Sequence, residues 1–243
     1  MLMEKHLDPR LHSAIDYVRR GAVVADVGTD HAYLPIFLLR EGVASRAVAC
    51  DIGEGPIERA REHIAAAGLS DRIATMQTDG LHGVESFHPD HILIFGMGGE
   101  LIVKILSEAP WIRVPSVRLI LQPMSRAEVL RRYLWENGFS VLGETLSRED
   151  DRIYQTVCAE WHGERTSFTP LDCLIGKGEH HASSPLYRFF LEQKINTAKK
   201  ILAGKSLAKE PDFAAEQQVL RALEDRLREM GETKGPFRNC MNI

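Results

Sequence analysis

The chain has 243 residues, 44% of them hydrophobic and 26% charged, with a formal net charge of −4, which is enough apolar material for one large domain with an appendage. No segment reaches the roughly 18 to 20 uninterrupted apolar residues of a membrane span, and the opening MLMEKHLDPR lacks the apolar stretch of a secretory signal, so a cytoplasmic protein is expected. Four dispersed cysteines, Cys50, Cys158, Cys173 and Cys240, form no CxxC and no metal-ligand spacing with histidine, which predicts free thiols and no structural metal.

Leu7, Leu11, Ile15 and Val18 recur at helical spacing and predict a helix stopped by Gly21. Ala22 to Asp26 is a continuous apolar run of the kind found in parallel strands covered on both faces. A helix over Tyr33 to Arg40 follows, with Pro35 in its first turn, and the beat then repeats. Arg46 to Asp51, Ile73 to Gln77, His91 to Phe95 and Val117 to Gln122 read as further strands, the last stopped by Pro123. Helices are predicted over Ile57 to Ala67, after the glycines 96 to 99, and over Ala127 to Asn137.

After Gly138 the alternation changes. Phe139 to Leu146 and Ile153 to Glu160 are strand-like runs joined by six residues, too few for a crossover helix, so they must form an antiparallel hairpin. Five winding strands and a closing hairpin make a seven-stranded Rossmann-like α/β sheet of the class I methyltransferase type.

From about Pro170 strand signals cease. Leu191, Ile195, Ala198 and Leu202, then Leu220, Leu223, Leu227 and Met230, form two narrow apolar seams that predict an antiparallel helical hairpin of coiled-coil type. Residues 1–165 and 166–243 are therefore expected to be separate domains. Charge divides in a similar way: residues 1–183 hold 19 Lys and Arg against 26 Asp and Glu, and residues 184–243 hold 11 against 8. A mildly basic tail is compatible with nucleic-acid contact, although charge alone favours a solvated helix face.

In a doubly wound sheet the ligand lies over the carboxyl ends of the strands. Four ends agree: Asp26 with Gly28, Asp51 with Ile52, Asp79 with Gly80, and Gly96, Met97 and Gly98. Asp51 is placed to accept hydrogen bonds from ribose hydroxyls, Asp79 to accept from an exocyclic amine of adenine, and Gly28 to let backbone approach the ligand. The dinucleotide fingerprint GxGxxG is absent, because residues 28–33 read GTDHAY, and the charge of Asp30 would repel a pyrophosphate. An acid in that turn suits a phosphate-free cofactor with a cationic centre, which describes S-adenosyl-L-methionine.

ADVGTDHAYLP, DIGEGP, TDGL, IFGMGGELI, LILQP and EDDRIYQ together resemble the bacterial tRNA adenine-N1 methyltransferase family called TrmK, which modifies adenine 22 in the D-arm. The resemblance covers the whole chain and implies a domain that binds S-adenosyl-L-methionine, a helical coiled-coil domain, and an acid beside the methyl group and target base, a role that maps onto Asp30. His31 would orient that carboxylate or contact the substrate. Tyr33, Gln122 and Pro123 become candidates for substrate contact, although Met124 stands where the family often has Asn.

Adenine N1 carries an in-plane lone pair, so direct in-line displacement asks of the protein mainly positioning, with a carboxylate to stabilise charge developing on the ring. The [DNS]PP[YF] tetrad used on exocyclic amines is replaced here by GMGG, which disfavours N6 methylation and leaves a ring nitrogen or a flat substrate. Lys194, Lys199, Lys200, Lys205 and Lys209, with Arg10, Arg19 and Arg20, are the candidates to follow tRNA phosphates. A monomer is expected. Two other readings remain: a methyltransferase of a small molecule or protein, and an inert RNA-binding protein of the same fold.

Overall fold

The computed structural model describes residues 9–181, 183–205 and 213–232. They divide into two compact units, one ending at Phe168 and one beginning at Thr169.

The first unit opens with a four-residue helix, α1 (Pro9–His12), and a separate 3-10 turn at Ile15–Tyr17, where one continuous helix was predicted. The break has a polar cause. Ser13 Oγ donates to the Arg10 carbonyl at 2.7 Å, and Gln122 Nε2 donates to the same carbonyl at 2.9 Å. A carbonyl bound by side chains in this way stops propagating the helix. The apolar residues still find the core, with Ala14 and Val18 buried.

The sheet comprises β1 (Ala22–Val27), β2 (Ala44–Asp51), β3 (Ile73–Gln77), β4 (His91–Gly98), β5 (Arg118–Ser125), β6 (Phe139–Glu149) and β7 (Arg152–Trp161), in the order β3-β2-β1-β4-β5-β7-β6. β1 to β5 run parallel, and β7 lies antiparallel between β5 and β6. The expected hairpin is therefore present, with β7 seated inside β6.

Crossovers are made by α2 (Tyr33–Arg40), α3 (Glu54–Ala66), α4 (Gly99–Ser107) and α5 (Ala127–Glu136). Because side chains alternate along a strand, β1 sends Ala25 and Val27 to the α4 and α5 face, where they join Ile94, Ile102, Leu106 and Leu130. Val24 joins Leu38, Ala60, Ile64 and Leu93 on the α2 and α3 face. Both faces are covered, so the parallel strands read as unbroken apolar runs.

Two boundaries differ from expectation. Gly96–Gly98 stay within β4, and only Gly99 opens α4. Pro123 does not stop β5, because it faces Met97 where the β4–β5 register shifts, and a bulge tolerates a residue with no N–H. Gly99 itself is demanded by space: a Cβ there would lie 2.3 Å from the Arg126 carbonyl oxygen.

At the opposite, amino end of the strands a second polar network closes the sheet. His91 is fully buried, its Nδ1 donating to Asp90 Oδ1 at 2.6 Å and its Nε2 accepting from the Arg19 backbone at 3.1 Å. Arg19 and Arg118 converge on Glu160. Under α5, Arg131 and Glu144 form a fully buried two-nitrogen pair, 2.8 and 2.7 Å, extended to Gln155 at 2.8 Å.

The second unit contains α6 (Pro170–Ile175), α7 (Gly178–His181), α8 (Tyr187–Lys205) and α9 (Ala214–Glu232). The two short helices were not expected, although Thr169-Pro170-Leu171-Asp172 carries a capping box with Pro at its start. α8 packs on α9, with Leu191, Ile195 and Leu223 buried. Lys199 pairs with Glu224 at 3.1 Å, and Lys194 lies 5.3 Å from the centre of the Phe190 ring. No described helix is long and apolar enough to cross a membrane.

Candidate active site

Val27 pairs with Cys50 on one side and Ile94 on the other, and Asp51 pairs with Gln77, so the carboxyl ends of β1 to β4 finish level. This register brings the predicted strand-end residues to one rim. Gly28 and Thr29 both donate backbone N–H groups to the Cys50 carbonyl, at 2.8 and 2.9 Å, which ties the turn after β1 to the end of β2. Gly28 takes φ +81°, and a Cβ on it would lie 2.2 Å from Met97 Cε. Glycine is thus required by conformation, with the flexible end of the Met97 side chain packed against the turn.

Asp26 sits beneath this turn, 7% exposed. Burial raises its carboxyl from 3.8 to about 6, helped by the charge of Asp51 and opposed by a hydrogen bond with Thr29. Asp51 Oδ1 accepts from the Gly53 backbone at 2.7 Å, and the neighbouring Ile52 is 66% exposed, an unusual setting for an isoleucine and one that offers an apolar face beside an acid. Asp79 is exposed at the end of β3, where Gly80 packs against Ile105.

The Asp30–His31 turn is more constrained than the sequence suggested. Thr29 Oγ1 accepts from the Ala32 backbone at 3.1 Å, and Ala32, with φ +55°, holds a conformation that non-glycine residues seldom adopt. Asp30 projects from it, its side chain 60% exposed, with Oδ2 3.1 Å from His31 Nε2. Arg59, from α3, reaches Oδ1 through Nε at 3.1 Å and Nη2 at 2.5 Å. That guanidinium is the main reason the Asp30 carboxyl is held below its usual range, against some burial and with help from His31 and His63. His31, Tyr33 and His63 stack on one another, ring centres 4.9 to 5.3 Å apart. Arg59 and His63 were missed; their spacing of four residues on an amphipathic helix is the signal that placed them on one face.

Other candidates stand apart from the rim. Gln122 is fully buried, and its amide donates to the Arg10 carbonyl and to Thr156 Oγ1 at 2.9 Å, so it anchors the N-terminal segment. Pro123 is buried beside it, whereas Met124 is 43% exposed. Arg10 does approach the rim: its guanidinium lies 5.7 Å from the Tyr154 ring, and a Cβ on Gly96 would find Arg10 Nη1 at 3.8 Å. Arg19 is engaged by Glu160 at the far end of the sheet. Lys194, Lys199 and Lys200 lie on α8 in the second unit, with Lys200 exposed; the Lys205 side chain and Lys209 lie outside the described residues.

As a set, three strand-end acids, turns that bring backbone close and an exposed isoleucine fit an adenosyl group with a cationic centre. The anionic Asp30 opposes a pyrophosphate. No described cluster of His, Cys, Asp or Glu could hold a metal.

Comparison with known proteins agrees with this geometry. The family described as Methyltransferase domain matches residues 7–157. The chain is 37% identical over 157 residues to the tRNA (adenine(22)-N(1))-methyltransferase of Bacillus subtilis, across 65% of this chain and 66% of that protein, just under two thirds of its length. Over whole structures the likeness extends further. The crystal structure of the B. subtilis m1A22 tRNA methyltransferase TrmK superposes with a TM-score of 0.77 at 31% identity, covering 94% of this chain and 99% of that one. The Streptococcus pneumoniae protein Sp1610, described as a putative tRNA (m1A22) methyltransferase and solved with S-adenosyl-L-methionine, gives 0.75 at 29% identity over 93% and 98%.

Proposed function

Because the chain belongs to the TrmK family of methyltransferases, we propose that it uses S-adenosyl-L-methionine to methylate N1 of adenine 22 in the D-arm of tRNA. The observation that carries this reading is the whole-chain likeness to B. subtilis TrmK, which includes the helical second unit as well as the sheet.

The donor supplies a methyl group activated by a sulfonium. Asp51 is placed to receive ribose hydroxyls and Asp79 the adenine amine of the donor, while Gly28, Gly96 and Gly98 let backbone approach and Met97 and Ile52 give apolar contact. Target adenine N1 needs no deprotonation, so the chain contributes position and charge. Asp30, ionised and oriented, is suited to accept a hydrogen bond from the target N6 amine as the ring becomes cationic. His31 Nε2 stands 3.1 Å from the Asp30 carboxylate, and Tyr33 stacks behind it. Gln122 holds the N-terminal segment through the Arg10 carbonyl. In the second unit Lys194, Lys199 and Lys200 supply positive charge for the tRNA backbone. The same reading takes the chain to be a cytoplasmic monomer.

Incubation with bulk tRNA and labelled S-adenosyl-L-methionine, followed by nucleoside analysis, should yield 1-methyladenosine that maps to position 22. Absence of that nucleoside would sink the assignment. Transfer to another small molecule or protein, with tRNA untouched, would favour the broader methyltransferase reading.

A further inference from the structure

α3 begins at Glu54, directly after the Asp51 corner, and Arg59 and His63 lie one turn apart along it. The helix grips the Asp30–His31 turn at three points. Arg59 takes Asp30 Oδ1 with two nitrogens, His63 Nδ1 donates to the His31 carbonyl at 3.1 Å, and the His63 ring packs 5.1 Å from His31 and 5.3 Å from Tyr33. On the other side of the carboxylate, His31 Nε2 faces Oδ2 at 3.1 Å, while His31 Nδ1 is buried with no hydrogen-bond partner among the described residues.

We propose that Arg59 is a positioning residue: it orients the Asp30 carboxylate, with His63 bracing the His31 backbone behind it, so that the target adenine meets an acceptor already aimed. The proposal rests on the reading of Asp30 as the group beside the target base. A carboxylate 60% exposed and held by nothing would sample its rotamers in water, and ordering it would fall to the binding step. The two-nitrogen approach of Arg59 removes that freedom in advance, in a geometry a lysine cannot reproduce.

The groups facing Asp30 are Arg59, His31 and His63, and the first of these does most to keep it charged. Asp30 thus accepts a hydrogen bond without carrying the proton away. α3 also couples the two acids, since the helix that starts beside Asp51 ends its second turn on Asp30.

The test compares wild type, Arg59→Gln and Arg59→Lys for kcat, for KM toward tRNA and for the pH dependence of kcat, with S-adenosyl-L-methionine affinity measured by calorimetry. Arg59→Gln should lower kcat roughly 10- to 100-fold and move the acid limb of the profile upward, because the guanidinium that holds the Asp30 carboxyl low is gone, with cofactor affinity unchanged. Protonation of adenine N1 sets an acidic floor common to all three proteins. Arg59→Lys should restore the acid limb and only part of kcat. A raised KM for tRNA with kcat and profile unchanged would make Arg59 a phosphate contact and overturn the proposal, as would a variant indistinguishable from wild type. Failure of the underlying reading looks different: Asp30→Ala would then retain methyl transfer.

Discussion

Arg131 and Glu144 meet with neither side chain exposed, whereas Arg59 and Asp30, also joined through two guanidinium nitrogens, leave 46% and 60% of theirs in solvent. The same pair of charged groups has different consequences in the two places. In the buried case each charge is tolerable only because the other is present, so the pair specifies how α5 seats on β6 and β7. In the exposed case water screens the attraction, stability gains little, and the carboxylate keeps its capacity to act on a ligand.

The largest effect expected is on the buried side. Arg131→Ala should destabilise the fold by about 3 to 5 kcal/mol, read as a loss of thermal midpoint, while the paired replacement Arg131→Met with Glu144→Leu should recover most of it. If the single and double variants melt alike, the buried pair is not the cause.

On the exposed side, Asp30→Asn should leave the melt unchanged and reduce kcat about 10²- to 10³-fold, with cofactor binding intact by calorimetry. A destabilised Asp30→Asn would erase the contrast between the clusters.

Asp26 sharpens the comparison, being a buried acid whose charge is favoured chiefly by Thr29. Its folded pKa of about 6 exceeds the 3.8 of the unfolded chain, so its contribution is fully present below pH 3.8 and is lost as pH rises through about 6. Asp26→Asn should therefore be more stable than wild type at pH 7.5, by about 3 kcal/mol, and the advantage should largely vanish by pH 4. Denaturant melts at the two pH values measure this directly; an equal difference at both would show that the acid is ionised in neither setting.

The smallest effect belongs to Lys199, whose ion pair with Glu224 leaves both side chains partly in solvent. Lys199→Ala should change stability by under about 0.5 kcal/mol. Its effect on tRNA affinity, and the slope of that affinity against salt, should exceed its effect on the melt.

What the sequence disclosed and what it hid divide along physical lines. The parallel strands were legible because both faces of the sheet are covered, and the ends of the first four were marked by an acid or glycine, as at Asp51 and Gly98. Backbone hydrogen bonding to side chains distant in sequence was not legible: nothing near Arg10 signals that Gln122 and Ser13 would capture its carbonyl and break the helix. Gln122 itself looked like a substrate contact because it ends a strand, yet its neighbours in space bury it. At the site, Asp30 and His31 were conspicuous through their turn, whereas Arg59 and His63 looked like ordinary surface residues of an amphipathic helix until the winding laid α3 beside that turn.

Cys50 and Cys158 are free and buried, and burial, with the charges of Asp26 and Asp51, pushes the Cys50 thiol up to about 12. Its carbonyl is the very group that receives Gly28 and Thr29. A thiol so protonated and enclosed is inert to alkylating reagents while the strands are paired, and it becomes reactive only when β2 parts from the β1 turn. The chain thus carries its own clock for the cofactor turn: the rate at which Cys50 is alkylated counts the openings of that corner, and a ligand that bridges the β1 and β2 ends would slow it.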